Sequence, residues 1–264
     1  MVTITVRILI FLAIVYIGLA AIIFFQQGKF IFPAPQITHS PAPGYEAVTL
    51  ETADGLSLTA HWREPEADQA IVVHFHGNAG DLSASATENQ LFAQQGYGVL
   101  LVEYRGYGGN PGTPSENGFR EDGRAALAFL KDRSIEPERI ILKGHSIGTG
   151  TAVNMASELD AAALILVAPF TSIPDLLAQK IPIFPMRLLV NERFDNRAKL
   201  SKLAMPVLVQ HGTGDTVIPV SHGRAVSDAG PNAAFQSFDG AGHDLTFDPE
   251  VQAAQLEWLK SRSL

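Results

Sequence analysis

The 264-residue sequence predicts a doubly wound, mostly parallel α/β sheet with a short cap, preceded by one N-terminal transmembrane helix. Three observations carry this. An apolar run opens the chain, short Val/Ile/Leu-rich runs then alternate with helix-periodic stretches, and one such run leads directly into Gly144-His145-Ser146-Ile147-Gly148. Short continuous apolar runs suit parallel strands covered by helices on both faces. A body of this length is expected to form one core.

Residues 8–25 contain neither charge nor proline, and as a helix they span about 27 Å, close to the thickness of a bilayer core. A cleaved signal peptide competes with this reading. Its apolar core is usually shorter, however, and Phe24-Phe25-Gln26-Gln27 makes a poor cleavage site. Residues 1–32 are therefore expected to be a single-pass membrane anchor, meeting the bilayer through residues 8–25. Arg7 and the terminal amine flank one end and Lys29 the other. That slight bias puts the N-terminus in the cytoplasm and the body on the non-cytoplasmic side. Residues 33–46 hold Pro33, Pro35, Pro41 and Pro43 and read as an extended linker lifting the body off the membrane.

The body, residues 47–264, begins with two alternating segments at 47–52 and 56–62, joined through Asp54-Gly55 as an antiparallel hairpin. Apolar runs at 70–76, 97–104, 139–144, 162–168, 206–211 and 234–238 are expected to be the parallel strands. Helical spacing marks 83–95, 115–132, 147–158, 221–229 and 248–262, the first following the start signal Asp81-Leu82-Ser83.

Composition narrows the function classes. The net charge is −8, and residues 1–32 carry two cations and no acid, so the remainder carries −10. An acidic body argues against nucleic acid as a partner. The absence of cysteine removes disulfides, thiolate zinc sites and a cysteine nucleophile together. His74 and His76 fall on one face of a strand but have no evident third ligand, so they are read as core or loop-holding residues. No metal or cofactor is expected.

In a doubly wound sheet, chemistry gathers at the carboxyl ends of the strands. Ser146 follows the strand at 139–144, Asp215 follows that at 206–211, and His243 follows that at 234–238. Each taken alone has a bland alternative as a turn or loop residue. Together they supply a nucleophile, a proton carrier of near-neutral pKa and a carboxylate to orient it. Asp195 and Asp244 are the competing acids and rank behind Asp215. The glycines around Ser146 let a following helix pack close to the strand. The backbone amides of Asn78, in His76-Gly77-Asn78-Ala79-Gly80, and of Ile147 are the candidate oxyanion hole. His145, His211, His222, His39 and His61 are read as ordinary.

These motifs resemble the serine hydrolases of the α/β-hydrolase superfamily, and within it the membrane-anchored bud-emergence-like family. The resemblance rests on His76–Gly80, the run Tyr104-Arg105-Gly106-Tyr107-Gly108-Gly109-Asn110-Pro111-Gly112-Thr113-Pro114-Ser115-Glu116, the Ser146 pentapeptide, Pro169-Phe170-Thr171-Ser172-Ile173-Pro174, and His211-Gly212-Thr213-Gly214-Asp215. It implies the α/β-hydrolase fold, Ser146, Asp215 and His243 as triad, and acyl esters or thioesters as substrates. Relatives of this kind include protein depalmitoylases, whose cysteine cluster is missing here, and lysophospholipid lipases. A thioesterase, a peptidase and a catalytically silent, membrane-tethered interaction module are the rival readings. The apolar stretch Ile181-Pro182-Ile183-Phe184-Pro185-Met186 is either an acyl-chain wall or core packing beneath a loop.

Overall fold

The computed structural model describes residues 2–264. Helix α1 (Val2–Ile31) has an 18-residue stretch of mean hydropathy 3.0 and is long and apolar enough to cross a membrane. Its side chains from Ile4 to Phe25 are largely uncovered by the body. The end of the helix differs: Ile31 and the following Phe32 are buried, and the Phe32 ring meets Phe119 edge-on at 5.2 Å.

The body is an eight-stranded sheet. Strands β1 (Glu46–Glu51) and β2 (Ser57–Arg63) form the expected hairpin, paired from Glu46↔Trp62 to Glu51↔Ser57. They are followed by β3 (Ile71–Phe75), β4 (Gly98–Val102), β5 (Ile140–His145), β6 (Ala163–Val167), β7 (Val207–Gly212) and β8 (Ala233–Phe238). The spatial order is β1-β2-β4-β3-β5-β6-β7-β8, and every pair from β4 to β8 is parallel. From β3 the chain steps outward to β4, then returns to the other side of β3 for β5. Strand order therefore reverses between β3 and β5, and the loops leaving those two strands diverge around a crevice.

Alternation along the strands sorts the core into two layers. Ile71, Val73, Phe75, Leu142 and Leu166 face one layer, whereas Val72, Leu101, Ile141 and Ile165 face the other. The first layer is covered by α4 (Glu116–Lys131), α5 (Gly148–Ala156) and α9 (Val220–Ser227). The second is covered by α2 (Leu82–Glu88), α3 (Gln90–Gln94) and α10 (Pro249–Lys260). Between β6 and β7 lie the short helices α6 (Ile173–Lys180), α7 (Met186–Leu189) and α8 (Asn196–Leu200), which form the small cap. Local chemistry explains several boundaries. Ser115 Oγ accepts the Gly118 N–H to start α4, and Asp248 with Pro249 starts α10.

Three expectations need correction. The helix expected at 83–95 is two helices broken at Asn89, whose buried side chain binds the Ser85 carbonyl and accepts from the Lys143 ammonium. The proline-rich segment is not a free spacer. The Pro35 carbonyl accepts from Gly108 N–H at 2.9 Å, Gln36 donates to the Gly106 carbonyl, and His39 lies 3.1 Å from Asp81. Within Ile181–Met186 neither alternative holds throughout. Met186 is buried, Ile181 and Ile183 are exposed, and Phe184 stacks on Tyr16 of α1 at 4.9 Å.

Candidate active site

Ser146 stands at the end of the central strand β5 with φ +53°, a left-handed conformation unusual for a residue with a Cβ. Its N–H donates to the Val167 carbonyl of the neighbouring strand at 3.0 Å, which fixes the turn. The flanking glycines are demanded by space. A Cβ on Gly148 would lie 2.0 Å from the Phe75 carbonyl oxygen, and one on Gly144 would lie 2.5 Å from that of Gly148. Helix α5 can therefore begin immediately after the serine, against β3 and β5.

The three residues singled out along the chain meet here. His243 Nε2 lies 2.9 Å from Ser146 Oγ, and His243 Nδ1 lies 2.7 Å from Asp215 Oδ2. The other Asp215 oxygen accepts the N–H groups of Val217 and Ile218, each at 2.8 Å. Burial alone would raise the Asp215 carboxyl, but hydrogen bonds from His211, His243 and the Ile218 amide outweigh it and hold it below its ordinary value. An ionised Asp215 accepts a hydrogen bond from the Nδ1–H of His243, which leaves Nε2 free to accept from Ser146. The loops carrying these residues are stitched together: Gly214 N–H donates to the Ala241 carbonyl at 3.0 Å, and Thr213 N–H to that of Phe238. A Cβ at Gly212 would lie 2.1 Å from the Ala241 oxygen, so that approach also requires glycine. The competing acids do other work. Asp195 caps α8 through Ala198 N–H, and Asp244 opens a 3₁₀ turn at Leu245–Phe247.

Asn78 and Ile147 both line the cavity at Ser146, and among the described residues neither backbone N–H has an acceptor. The Asn78 loop is rigidly held. The Asn78 side chain donates to the Ile31 carbonyl at 2.5 Å and accepts from the Tyr107 hydroxyl at 2.7 Å. Beneath it, His76 is fully buried with Nε2 2.8 Å from Glu103 and Nδ1 2.7 Å from the Gly77 carbonyl. Burial would lower the His76 imidazole, yet the Glu103 carboxylate and the Gly77 carbonyl outweigh this and raise it. Both nitrogens then donate, and the histidine clamps the loop.

Two groups were read as ordinary and are not. His211 Nε2 sits 2.9 Å from the Ile218 carbonyl and 3.3 Å from Asp215, adding a second histidine to the acid. Under the Ser146 loop lies a buried cluster around Glu88, whose carboxylate meets His74 at 3.2 Å and the Thr246 hydroxyl at 3.0 Å. The Lys143 ammonium binds the Glu88 carbonyl at 2.7 Å, and His145 Nε2 lies 3.2 Å from the His243 carbonyl. Burial pushes Lys143 down to about 8 and His74 to about 4. Glu88 goes the other way: burial would raise it, but His74, His145 and Lys143 bring it to about 2. A lysine within the strand Ile140-Ile141-Leu142-Lys143 was the sequence signal for this cluster, because a buried cation needs partners.

The site opens on a cavity of about 550 Å³, within the range of small-molecule sites. Ile147, Phe170, Leu176, Ile218 and Phe247 are among its apolar walls, and Phe30 and Ile31 of α1 close one side. Among the described residues, no group of three or more His, Asp or Glu is arranged to hold a metal ion.

Comparison with known proteins agrees with this architecture. The family model described as serine aminopeptidase, S33, matches residues 66–196. An uncharacterised protein of Mycobacterium tuberculosis is 35% identical over 249 residues, covering 90% of this chain and 87% of that protein. Human alpha/beta hydrolase domain-containing protein 17C is 38% identical over 193 residues, covering 70% of this chain and 55% of the human one. The Pyrococcus furiosus esterase Pf2001 superposes with a TM-score of 0.71 at 21% identity, covering 86% of this chain and 98% of the esterase. By sequence kinship and fold together, the chain belongs to the α/β-hydrolase superfamily and is a hydrolase of that fold.

Proposed function

We propose that the chain is a membrane-anchored serine hydrolase that cleaves lipid-like acyl esters through an acyl-enzyme. One observation carries this: the unbroken hydrogen-bond chain Ser146–His243–Asp215, at 2.9 and 2.7 Å, opens on an apolar cavity. In the reaction, Ser146 Oγ attacks the ester carbonyl while His243 Nε2 takes its proton. The Asn78 and Ile147 amides hold the oxyanion, and the alkoxide leaves with the proton returned by His243. Water, activated by the same histidine, then attacks the acyl-serine and releases the carboxylic acid. No other group is needed to balance either half.

Helix α1 serves as the anchor in this reading, with the N-terminus cytoplasmic and the body on the other side; because Tyr16, midway along residues 8–25, touches Ile183 and Phe184, the cap enters the apolar layer beside the helix. Ile181, Ile183 and Leu188 of the cap are exposed and apolar, which suits a cap and mouth turned to the bilayer. A second reading, a peptidase, draws on Asp244, which lines the cavity and whose side chain does not cap the turn it opens. That acid could meet a substrate ammonium.

A fluorophosphonate probe tests the nucleophile: the wild type is labelled and Ser146→Ala is not, whereas equal labelling removes Ser146 from its role. Paired panels of p-nitrophenyl esters and aminoacyl p-nitroanilides separate the two substrate classes. Turnover of the anilides alone would establish the peptidase. Long-chain esters are expected to turn over in the full chain. If the full chain turns over short esters and has no activity on long-chain ones, the lipid assignment fails.

A further inference from the structure

The last turn of α1 does more than end a helix. Phe30 and Ile31 line the cavity that holds Ser146 and His243, so part of the active-site wall comes from the membrane helix itself. Their environments differ. Ile31 is buried, whereas Phe30 keeps 69% of its surface exposed at the mouth. An apolar ring left open in the wall of a cavity that holds a nucleophile has a use when a substrate covers it.

The position of that ring is fixed at three levels. Phe32, two residues on, is locked into the aromatic core against Phe119 and Phe194. One turn earlier, Gln27 donates to the Leu189 carbonyl and accepts from Asn191 N–H at 2.7 Å. Three turns further out, Tyr16 donates to the Ile183 carbonyl at 2.9 Å and stacks on Phe184. The Ile31 carbonyl also receives the Asn78 side chain, so the oxyanion loop and the Phe30 wall share one reference point. The same cavity is lined by Leu177 of α6, Val217 and Phe247, with the last two partly open to the outside.

We propose that Phe30 is a specificity-determining residue of this site. Its ring lies along the acyl chain of an ester whose carbonyl is at Ser146, so the anchor selects long-chain amphiphiles from the leaflet around α1. This rests on the acyl-esterase reading above and adds to it a named selector.

The test uses the full chain in lipid nanodiscs and compares the rates at which dodecyl and ethyl fluorophosphonates modify Ser146. Phe30→Ala lowers the dodecyl-to-ethyl rate ratio roughly tenfold, the scale of a lost pocket contact. Phe30→Leu, which keeps an apolar wall, restores most of the ratio. Phe25→Ala, at a ring also exposed on α1 but outside the cavity, leaves it unchanged. An unchanged ratio in Phe30→Ala, an equal loss for both probes, or the same shift in Phe25→Ala overturns the role of Phe30. Absence of any Ser146 modification in the wild type overturns the serine-hydrolase reading instead.

Discussion

Ser146 holds a left-handed backbone that costs a residue with a Cβ about 1–2 kcal/mol, and the Val167 hydrogen bond with the close-packed β5–α5 turn keeps it there. Because that cost lies in the backbone, Ser146→Ala is expected to change stability by less than about 0.5 kcal/mol. Turnover should nevertheless fall on the order of 10⁵-fold, checked by denaturation and single-turnover assays on one preparation. At the next residue in the chain of bonds, Asp215→Asn keeps the shape but cannot hold the required tautomer of His243. A loss in kcat of about 10⁴ is expected. The same acid links the site to pH. Its folded pKa is depressed, so its contribution to stability is present above its unfolded pKa and is lost as pH falls through that value toward the folded one. Denaturation followed from pH 6 to 2 should therefore fall more steeply for wild type than for Asp215→Asn; parallel curves would show that Asp215 is not stabilised as an anion.

At the scale of elements, the site depends on loops after three strands that meet through close approaches at glycine. Gly148 lets α5 run under β3, and Gly212 lets the β7 loop meet the loop after β8. Gly148→Ala would drive a methyl group into the Phe75 carbonyl, which is backbone and cannot turn aside. A destabilisation of about 3 kcal/mol or more is expected, at the upper end of overpacking effects, and urea denaturation measures it. Ser115→Ala at the cap of α4 should cost only about 1 kcal/mol. Local elements were readable because their signals are local: alternation in the hairpin, apolar runs in β3 to β7, the start signal at Asp81. The break at Asn89 was not, since Lys143 on β5 supplies the reason and is more than fifty residues distant. The roles of Glu88 and His145 were hidden in the same way, each depending on a partner distant along the chain.

At the scale of the molecule, α1 and the body are joined by more than a tether. The buried Phe32, the Gln27 bonds and the held proline-rich segment leave little freedom between helix and cavity. If α1 crosses a bilayer, the mouth bordered by Phe30 lies at the membrane surface. Alkaline carbonate should then leave the full chain in the membrane and release a variant lacking residues 1–30. In intact cells carrying the protein in the plasma membrane, external protease should reach the body but not an N-terminal epitope tag. Protection of the body would reverse the proposed topology.

Sequence alone determined the order and kind of most elements, the apolar N-terminal helix and the identity of Ser146, Asp215 and His243 as candidates. Those features are written in periodicity, in glycine placement and in position after successive strands, all of which are read along the chain. Tertiary structure decided what distance decides: the 2.9 and 2.7 Å contacts joining the three residues, the ion cluster beneath them, and the seating of α1 on the cavity. A hydrogen bond between residues a hundred positions apart leaves no periodic trace, because its geometry exists only after the sheet has brought the strand ends together.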